Sequence, residues 1–329
     1  MTNNLSEIRE SLSHVALKWR PSTFLDTKLP DLNQVLGHAV KGIPYGRIIE
    51  ISGWESNGKT SIILSVAALA QRDGALVIWG DVENSFDAGW ARTRGFCLCP
   101  KCSGTGMVKD KECSACGGPD APTCGLDTDK LVLIQPYVGR FSYKDKFGKT
   151  HMEKDPRLST AQELCAEMEG AMQVGKHEKR ILVVDSVAAL MTEGEAVAGI
   201  EDANMRSDMD LPKFMSRLLR RWVGSAQVYN TLIVLVNQLR EGPGKGFGDP
   251  TTTPGGNAPK FYSHVRVRVS RVAGSKIFDQ QKVIGFRGVM KCLKNKAGGV
   301  EGSEIGYRLL RAGPLEFVPA KDVRDEGKS

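Results

Sequence analysis

The chain has 329 residues, 41% of them apolar and 25% charged, and a formal net charge of +7. That is enough for one large core or two modest ones. Membrane insertion is excluded: no stretch approaches the ~18 uninterrupted apolar residues of a span, and the polar start MTNNLSEIRE lacks the apolar segment of a secretory signal, so a cytoplasmic protein is expected.

In chain order, Leu5, Ile8, Leu12, Val15 and Ala16 recur at helical spacing, ahead of the extended KWRPSTFLDTKLP. RIIEIS then predicts a strand and SIILSVAALAQ a helix. Between them, Gly53-x4-Gly58-Lys59-Thr60 is a complete P-loop. Its glycines let successive N–H groups converge on phosphate oxygens at a helix N-terminus. Lys59 would reach the β and γ phosphates of a nucleotide and Thr60 would hold Mg²⁺, with Glu55, Ser56, Asn57 and Ser61 completing the cradle. ALVIWGDVEN predicts a second strand ending at Asp81 and Glu83, where a carboxylate could polarise an attacking water or simply face solvent.

Cys97, Cys99, Cys102, Cys113, Cys116 and Cys124 then crowd together. Cys99-x2-Cys102 and Cys113-x2-Cys116 have the spacing of a four-thiolate zinc site, with Cys97 and Cys124 as spare thiols or substitute ligands. CPKCSGTG resembles the Cys-x2-Cys-x-Gly-x-Gly repeat of the DnaJ chaperone zinc region. That family has four such repeats and this chain two, so the likeness bears on the fold of a small knob and not on a chaperone function. Residues 137–158 mix Arg140, Lys144, Lys146 and Lys149 with Phe141, Tyr143 and Phe147, as single-strand binders and ordinary surface hairpins both do. Cys165 and Cys292, in apolar surroundings, read as core thiols.

KRILVVDSVAAL is an apolar strand ending in Asp185, where a carboxylate can order the hydration shell of Mg²⁺. DLPKFMSRLLRRWVGSA predicts a helix with a stripe of Phe214, Met215, Leu218, Leu219 and Trp222, and with Lys213, Arg217, Arg220 and Arg221 on other faces. TLIVLVN is a further strand, closed by Gln238. LREGPGKGFGDPTTTPGGNAPKFY reads as a long functional loop. HVRVRVSRV alternates valine with arginine, a strand with one wet face. Residues 257–300 hold ten Lys or Arg against Asp279 alone, which fits a polyanionic partner and a solvated basic face equally.

Six stretches, GIPYGRIIEISGWESNGKTS, GDVENSFDAGWARTRG, ILVVDSVAAL, NTLIVLVNQLR, FGDPTTTPGGNAPKFY and KCLKNK, resemble the bacterial RecA-type recombinase family, in that family's order. The resemblance implies an α/β fold: a RecA-like P-loop ATPase core over 39–318, with a mostly parallel central sheet flanked by helices. Ahead of it would lie an N-terminal helix and polymerisation segment (1–38). Within it would sit a zinc-binding insertion (96–124) and a second, hairpin insertion (137–158), and after it a flexible tail (319–329). The implied activity is DNA-stimulated ATP hydrolysis by helical filaments that assemble on single-stranded DNA and exchange strands with a homologous duplex. ATP, Mg²⁺ and, at the cysteines, Zn²⁺ would be the cofactors.

Carried over by position, Glu83 becomes the water-activating base and Gln238 the γ-phosphate sensor that signals to the adjacent loop. Asp87 and Trp90 would hold adenine, tryptophan standing for the family's tyrosine, and Lys294 and Lys296 would reach a neighbouring subunit's nucleotide. DNA contacts fall on Met205 and Arg206 in a first loop (193–206) and on Lys213, Arg220 and Arg221. A second loop adds Phe247, Thr252, Thr253, Gly255, Gly256 and Asn257. Phe24 or Leu25 would be the polymerisation plug. The family's small C-terminal domain is not expected here, which suggests a phage or plasmid relative acting in a bacterial cytoplasm or nucleoid, with single-strand-binding or loader proteins as further partners. A ring-forming helicase or clock-type ATPase, and a non-exchanging mediator, share parts of this signature.

Overall fold

The strands read from the sequence are apolar on both faces, and both faces are buried. In the computed structural model, the described residues are 23–93, 107–108, 111–112, 114, 125–140, 142–144, 147–152, 156–197, 210–242, 251–311 and 315–327. Nine strands form the central sheet: β1 (Ile48–Gly53), β2 (Leu76–Asp81), β3 (Leu131–Ile134), β4 (Arg180–Asp185), β5 (Thr231–Gln238), β6 (Val265–Asp279), β7 (Lys282–Asn295), β8 (Glu304–Leu310) and β9 (Glu316–Val318). Their order is β9-β8-β7-β6-β1-β5-β4-β2-β3. The pairings from β6 through to β3 are parallel and those from β9 to β6 antiparallel, so the sheet is mostly parallel.

The helices used below are α1 (Pro30–Leu36), α2 (Lys59–Arg72), α3 (Ala88–Thr93), α4 (Ala161–Gln173), α5 (Asp210–Val228), α6 (Ala258–Tyr262) and α7 (Ala320–Glu326). Strand alternation divides the core in two. Ile49, Ile51, Ile181 and Val183 pack with Ile62, Val66 and Leu69 of α2 on one side. Ile48, Leu182 and Val184 pack with Met168 of α4 and Leu219 and Trp222 of α5 on the other. The α5 stripe is buried as its spacing predicted, with Leu218 only partly covered.

Both insertions leave and return at adjacent points. The Leu126 N–H donates to the Ala91 carbonyl (3.1 Å), across the base of the cysteine segment. A Cβ on Gly125 would lie 1.6 Å from the Arg92 carbonyl oxygen, so glycine is required for that close return. Between the two cysteine pairs, Met107–Val108 pairs antiparallel with Lys111–Glu112. In residues 137–158, Val138–Gly139 pairs antiparallel with Arg157–Leu158, and Ser142–Lys144 with Thr150–Met152. Cys99, Cys102, Cys113, Cys116, Cys97 and Cys124 lie outside the described residues.

Two expectations are corrected. Phe24–Leu25 pairs with Ile43–Pro44 of the same chain, and Leu25 is buried in the core beside Leu32, Val35 and Leu36 of α1. Leu25, so buried, has no surface left to act as a plug, whereas Phe24 beside it is only half-buried. Residues 319–327 are not a flexible tail: α7 buries Val323, and Glu326 pairs with Arg287 and Arg308. Ending the chain at Pro319 is therefore expected to cost about 2 kcal/mol or more from the valine alone, read as a lower denaturant midpoint.

Candidate active site

The parallel strands place their C-terminal ends on one edge, where ligands of such sheets bind. Gly53 stands opposite Gln238, and Asp81 opposite Asp185, so four neighbouring strands deliver the predicted residues together. At Gly53 a Cβ would lie 2.5 Å from the Val269 carbonyl oxygen. Gly58 takes a left-handed φ of 83° where α2 begins, the conformation glycine adopts without strain. The carbonyls of the loop are held by identifiable donors. Lys59 Nζ donates to Gly53 O (3.1 Å) and Trp54 O (2.9 Å), Arg271 Nη2 to Ser56 O (2.6 Å), and the Tyr307 hydroxyl to Asn57 O (2.6 Å). With the carbonyls fixed in this way, the loop's N–H groups are preorganised to meet an anion.

Thr60 Oγ1 donates to Asp185 Oδ2 at 2.9 Å. These two hard oxygens form a donor set suited to Mg²⁺. Glu83 Oε1 accepts from the Ser186 hydroxyl and from Gln238 Nε2 (3.0 Å), so Glu83 and Gln238 are in direct contact. Asp81 has a different task. Its carboxylate accepts from the Ser85 and Phe86 N–H groups and from Gln135 Nε2 (2.7 Å), and so shapes the turn that presents Glu83. Burial lowers Lys59 below its ordinary range, with Asp185, Glu83 and Glu55 opposing that shift.

Burial pushes the Asp185 carboxyl up to about 7; the Thr60 hydroxyl pulls against this, and the neighbouring Glu83 and Asp81 add to it. A ligand that requires the charged carboxylate must displace this proton. Affinity for a Mg²⁺-nucleotide is therefore expected to fall by up to about tenfold per pH unit below about pH 7. Fluorescent-nucleotide titrations at about pH 6 and pH 8 check this, and Asp185→Asn should flatten the dependence.

Lys59, Thr60, Glu83, Asp185, Ser186 and Gln238 line a cleft of about 790 Å³. On one side stand Asp87 and Trp90; Asp87 Oδ1 accepts from the Trp90 N–H (2.6 Å) and so starts α3 while holding the indole at the rim. A further wall is made by Arg271, Phe286, Leu309 and Leu310 from β6 to β8, with the Arg271 guanidinium 4.1 Å from the centre of the Phe286 ring. Sequence reasoning missed this wall and Ser186. The arginines of HVRVRVSRV alternate like any half-wet strand, and nothing local marks Arg271 as the one that reaches the P-loop.

Residues 30–100 and 166–301 match the family model for the RecA N-terminal domain. The chain belongs to the RecA family. Protein RecA of Geobacter sulfurreducens is 33% identical over 279 residues, covering 82% of this chain and 65% of that protein. Protein RecA of Syntrophus aciditrophicus is 35% identical over 257 residues, 78% of this chain and 58% of that one. For Clostridioides difficile Protein RecA the identity is 33%, over 78% and 57%. This chain thus spans less than two thirds of the length of these relatives. The break in the RecA match, 101–165, takes in most of the cysteine segment and all of the second insertion.

Of the remaining positions carried over from the resemblance, the described ones are not among the residues that line the cleft. Lys294 and Lys296 do not line it. Lys294 Nζ donates to the Lys260 and Phe261 carbonyls (2.7 and 3.1 Å) at the end of α6, and Lys296 is exposed. In the second loop Thr252 pairs with Arg240, closing the loop's two ends together, while Thr253 is buried with no hydrogen-bond partner for its hydroxyl among the described residues. Gly255 and Gly256 have positive φ, and a Cβ on Gly256 would lie 2.9 Å from Pro212 Cβ. Asn257 is exposed at the start of α6. On α5, Lys213 and Arg220 are exposed, whereas Arg221 Nε is paired with Glu169 of α4 (2.7 Å). Met205, Arg206 and Phe247 lie outside the described residues.

Proposed function

We propose that this chain is an ATP-dependent DNA recombinase, which polymerises on single-stranded DNA and pairs it with a homologous duplex. The observation that carries the reading is the convergence of Lys59, Thr60, Asp185, Glu83 and Gln238 in one cleft, with Gln238 at the root of the loop that runs to Asn257. The P-loop N–H groups and Lys59 bind the phosphates, and Trp90 offers its ring to the base. Thr60 and Asp185 would hold Mg²⁺, which when bound neutralises phosphate charge. Glu83 accepts the proton of the attacking water, held in position by Ser186. Gln238, bonded to Glu83 here, would turn to the γ-phosphate when ATP binds and draw the DNA loop with it.

Hydroxyl and amide groups of the loop, at Thr252 and Asn257, suit contact with a phosphodiester backbone without sequence preference. Lys294 and Lys296 would act on the neighbouring subunit's nucleotide. The cysteine segment would be a zinc-held accessory through Cys99, Cys102, Cys113 and Cys116; its ligand spacing and the closed base at Ala91–Leu126 support this. Deleting residues 97–124 is expected to leave ATP hydrolysis intact and to impair duplex engagement, read by gel-shift of duplex onto preformed filaments; unchanged duplex capture would refute that role.

Strand exchange tests the reading as a whole. With ATP, a single-stranded circle and a homologous linear duplex should yield joint molecules, and a heterologous duplex should yield none. DNA binding without joint molecules, under conditions that support ATP hydrolysis, would favour a mediator instead.

A further inference from the structure

The central strand β1 carries a charge that the nucleotide site does not use. Glu50 is fully buried, directly opposite Arg266 on β6, and its Oε2 accepts from Arg266 Nε at 2.6 Å. A buried ion pair is weak evidence for stability, since an apolar pair of similar volume often serves as well. Its partners suggest a different purpose. Glu50 Oε1 accepts from Asn237 Nδ2 (3.1 Å), and the same nitrogen donates to the carbonyl of Pro254 (3.1 Å) in the second loop. Asn237 Oδ1 accepts from the Gln238 N–H (3.1 Å). Asn237 is fully buried, and both donors of its amide nitrogen are engaged.

One side chain thus joins the backbone of Gln238, whose amide touches Glu83, to the backbone of the loop at Pro254. Its orientation is set by Glu50, because a carboxylate fixes which end of the Asn237 amide donates. Arg266 in turn holds that carboxylate in place through its Nε–H. Arg266 also stands in register with Lys294, whose ammonium holds the Lys260 and Phe261 carbonyls of α6, just beyond the loop. Thr253, beside Pro254, has its hydroxyl buried and unpartnered among the described residues, so the loop holds a polar group that a changed loop conformation could satisfy.

We infer that Glu50, held by Arg266, is a positioning residue that couples the nucleotide cleft to the DNA loop through Asn237. The inference rests on the recombinase reading above and names the connection inside it. Movement of Gln238 pulls the Asn237 amide, and the amide carries the Pro254 carbonyl because Glu50 prevents it from turning away. Neither Glu50 nor Asn237 lines the cleft, so the connection can be cut without touching the chemistry.

The test is steady-state ATP hydrolysis with and without single-stranded DNA by Glu50→Leu/Arg266→Met, a double variant that removes both charges at similar volume and so leaves no unpaired buried ion. Stimulation by DNA is expected to fall by about tenfold or more, a coupling within the usual allosteric range, with the DNA-free rate and the KM for ATP unchanged. Asn237→Ala keeps the ion pair, removes the bridge and is expected to show the same selective loss. Stimulation retained in both variants would overturn the inference. So would an equal fall of the DNA-free and DNA-stimulated rates, the mark of a purely structural pair. Wild type is measured alongside: if it shows no stimulation the recombinase reading itself fails, whereas stimulation of wild type and variants alike removes only this coupling.

Discussion

Glu83→Gln is expected to lower ATP hydrolysis by about 10²- to 10⁴-fold, the usual contribution of a positioned general base, with nucleotide affinity nearly unchanged. The substituted amide keeps the shape of the side chain, and its oxygen can still accept from Ser186 and Gln238, the two groups that hold Glu83 now. Only the capacity to take a proton is lost. The prediction therefore separates kcat from binding: single-turnover hydrolysis should collapse while the dissociation constant of a fluorescent nucleotide moves little. Hydrolysis within tenfold of wild type would transfer the role of base to another group. Asp81 is a poor candidate, because its oxygens are already committed to the Ser85 and Phe86 N–H groups and to Gln135.

Lys296→Ala is expected to have a comparably large effect on the assembled protein, about 10³-fold or more on DNA-stimulated hydrolysis, as for other cations supplied in trans. Lys296 is exposed and does not line the cleft of its own chain. Lys294 is a less clean target, since its ammonium also holds the end of α6. The account makes a sharper prediction for mixtures. Glu83→Gln and Lys296→Ala subunits, each inactive alone, should regain activity when mixed, because an interface can then combine an intact Glu83 from one with an intact Lys296 from the other. Random equal mixing gives about one quarter of head-to-tail interfaces that combination. No recovery on mixing would place the lysine's action within its own chain or remove it from catalysis.

The fold and the cleft were largely legible because their signals are local. A P-loop needs its glycines and lysine at fixed spacing, and apolar strands ending in Asp81 and Asp185 announce a parallel sheet with acids on one edge. What stayed hidden depends on residues distant in sequence. Arg271 meets Ser56, and Tyr307 meets Asn57, only after the antiparallel strands fold back beside β1. Glu50 reads as a strand residue among isoleucines, and its partners Arg266 and Asn237 come from two other strands. The misplaced tail has the same origin: AKDVRDE is polar enough to read as solvated, yet one valine and an ion pair seat it. Of Phe24 and Leu25, the resemblance gives no means of choosing the outward one, and Leu25 turns into its own core.

The most direct measurement is the steady-state rate of ATP hydrolysis by the purified full chain, with and without single-stranded DNA, alongside Glu83→Gln. The account predicts a low rate alone, strong stimulation by DNA, and loss of both in the variant. A rate indifferent to DNA, or one that survives Glu83→Gln, would contradict it.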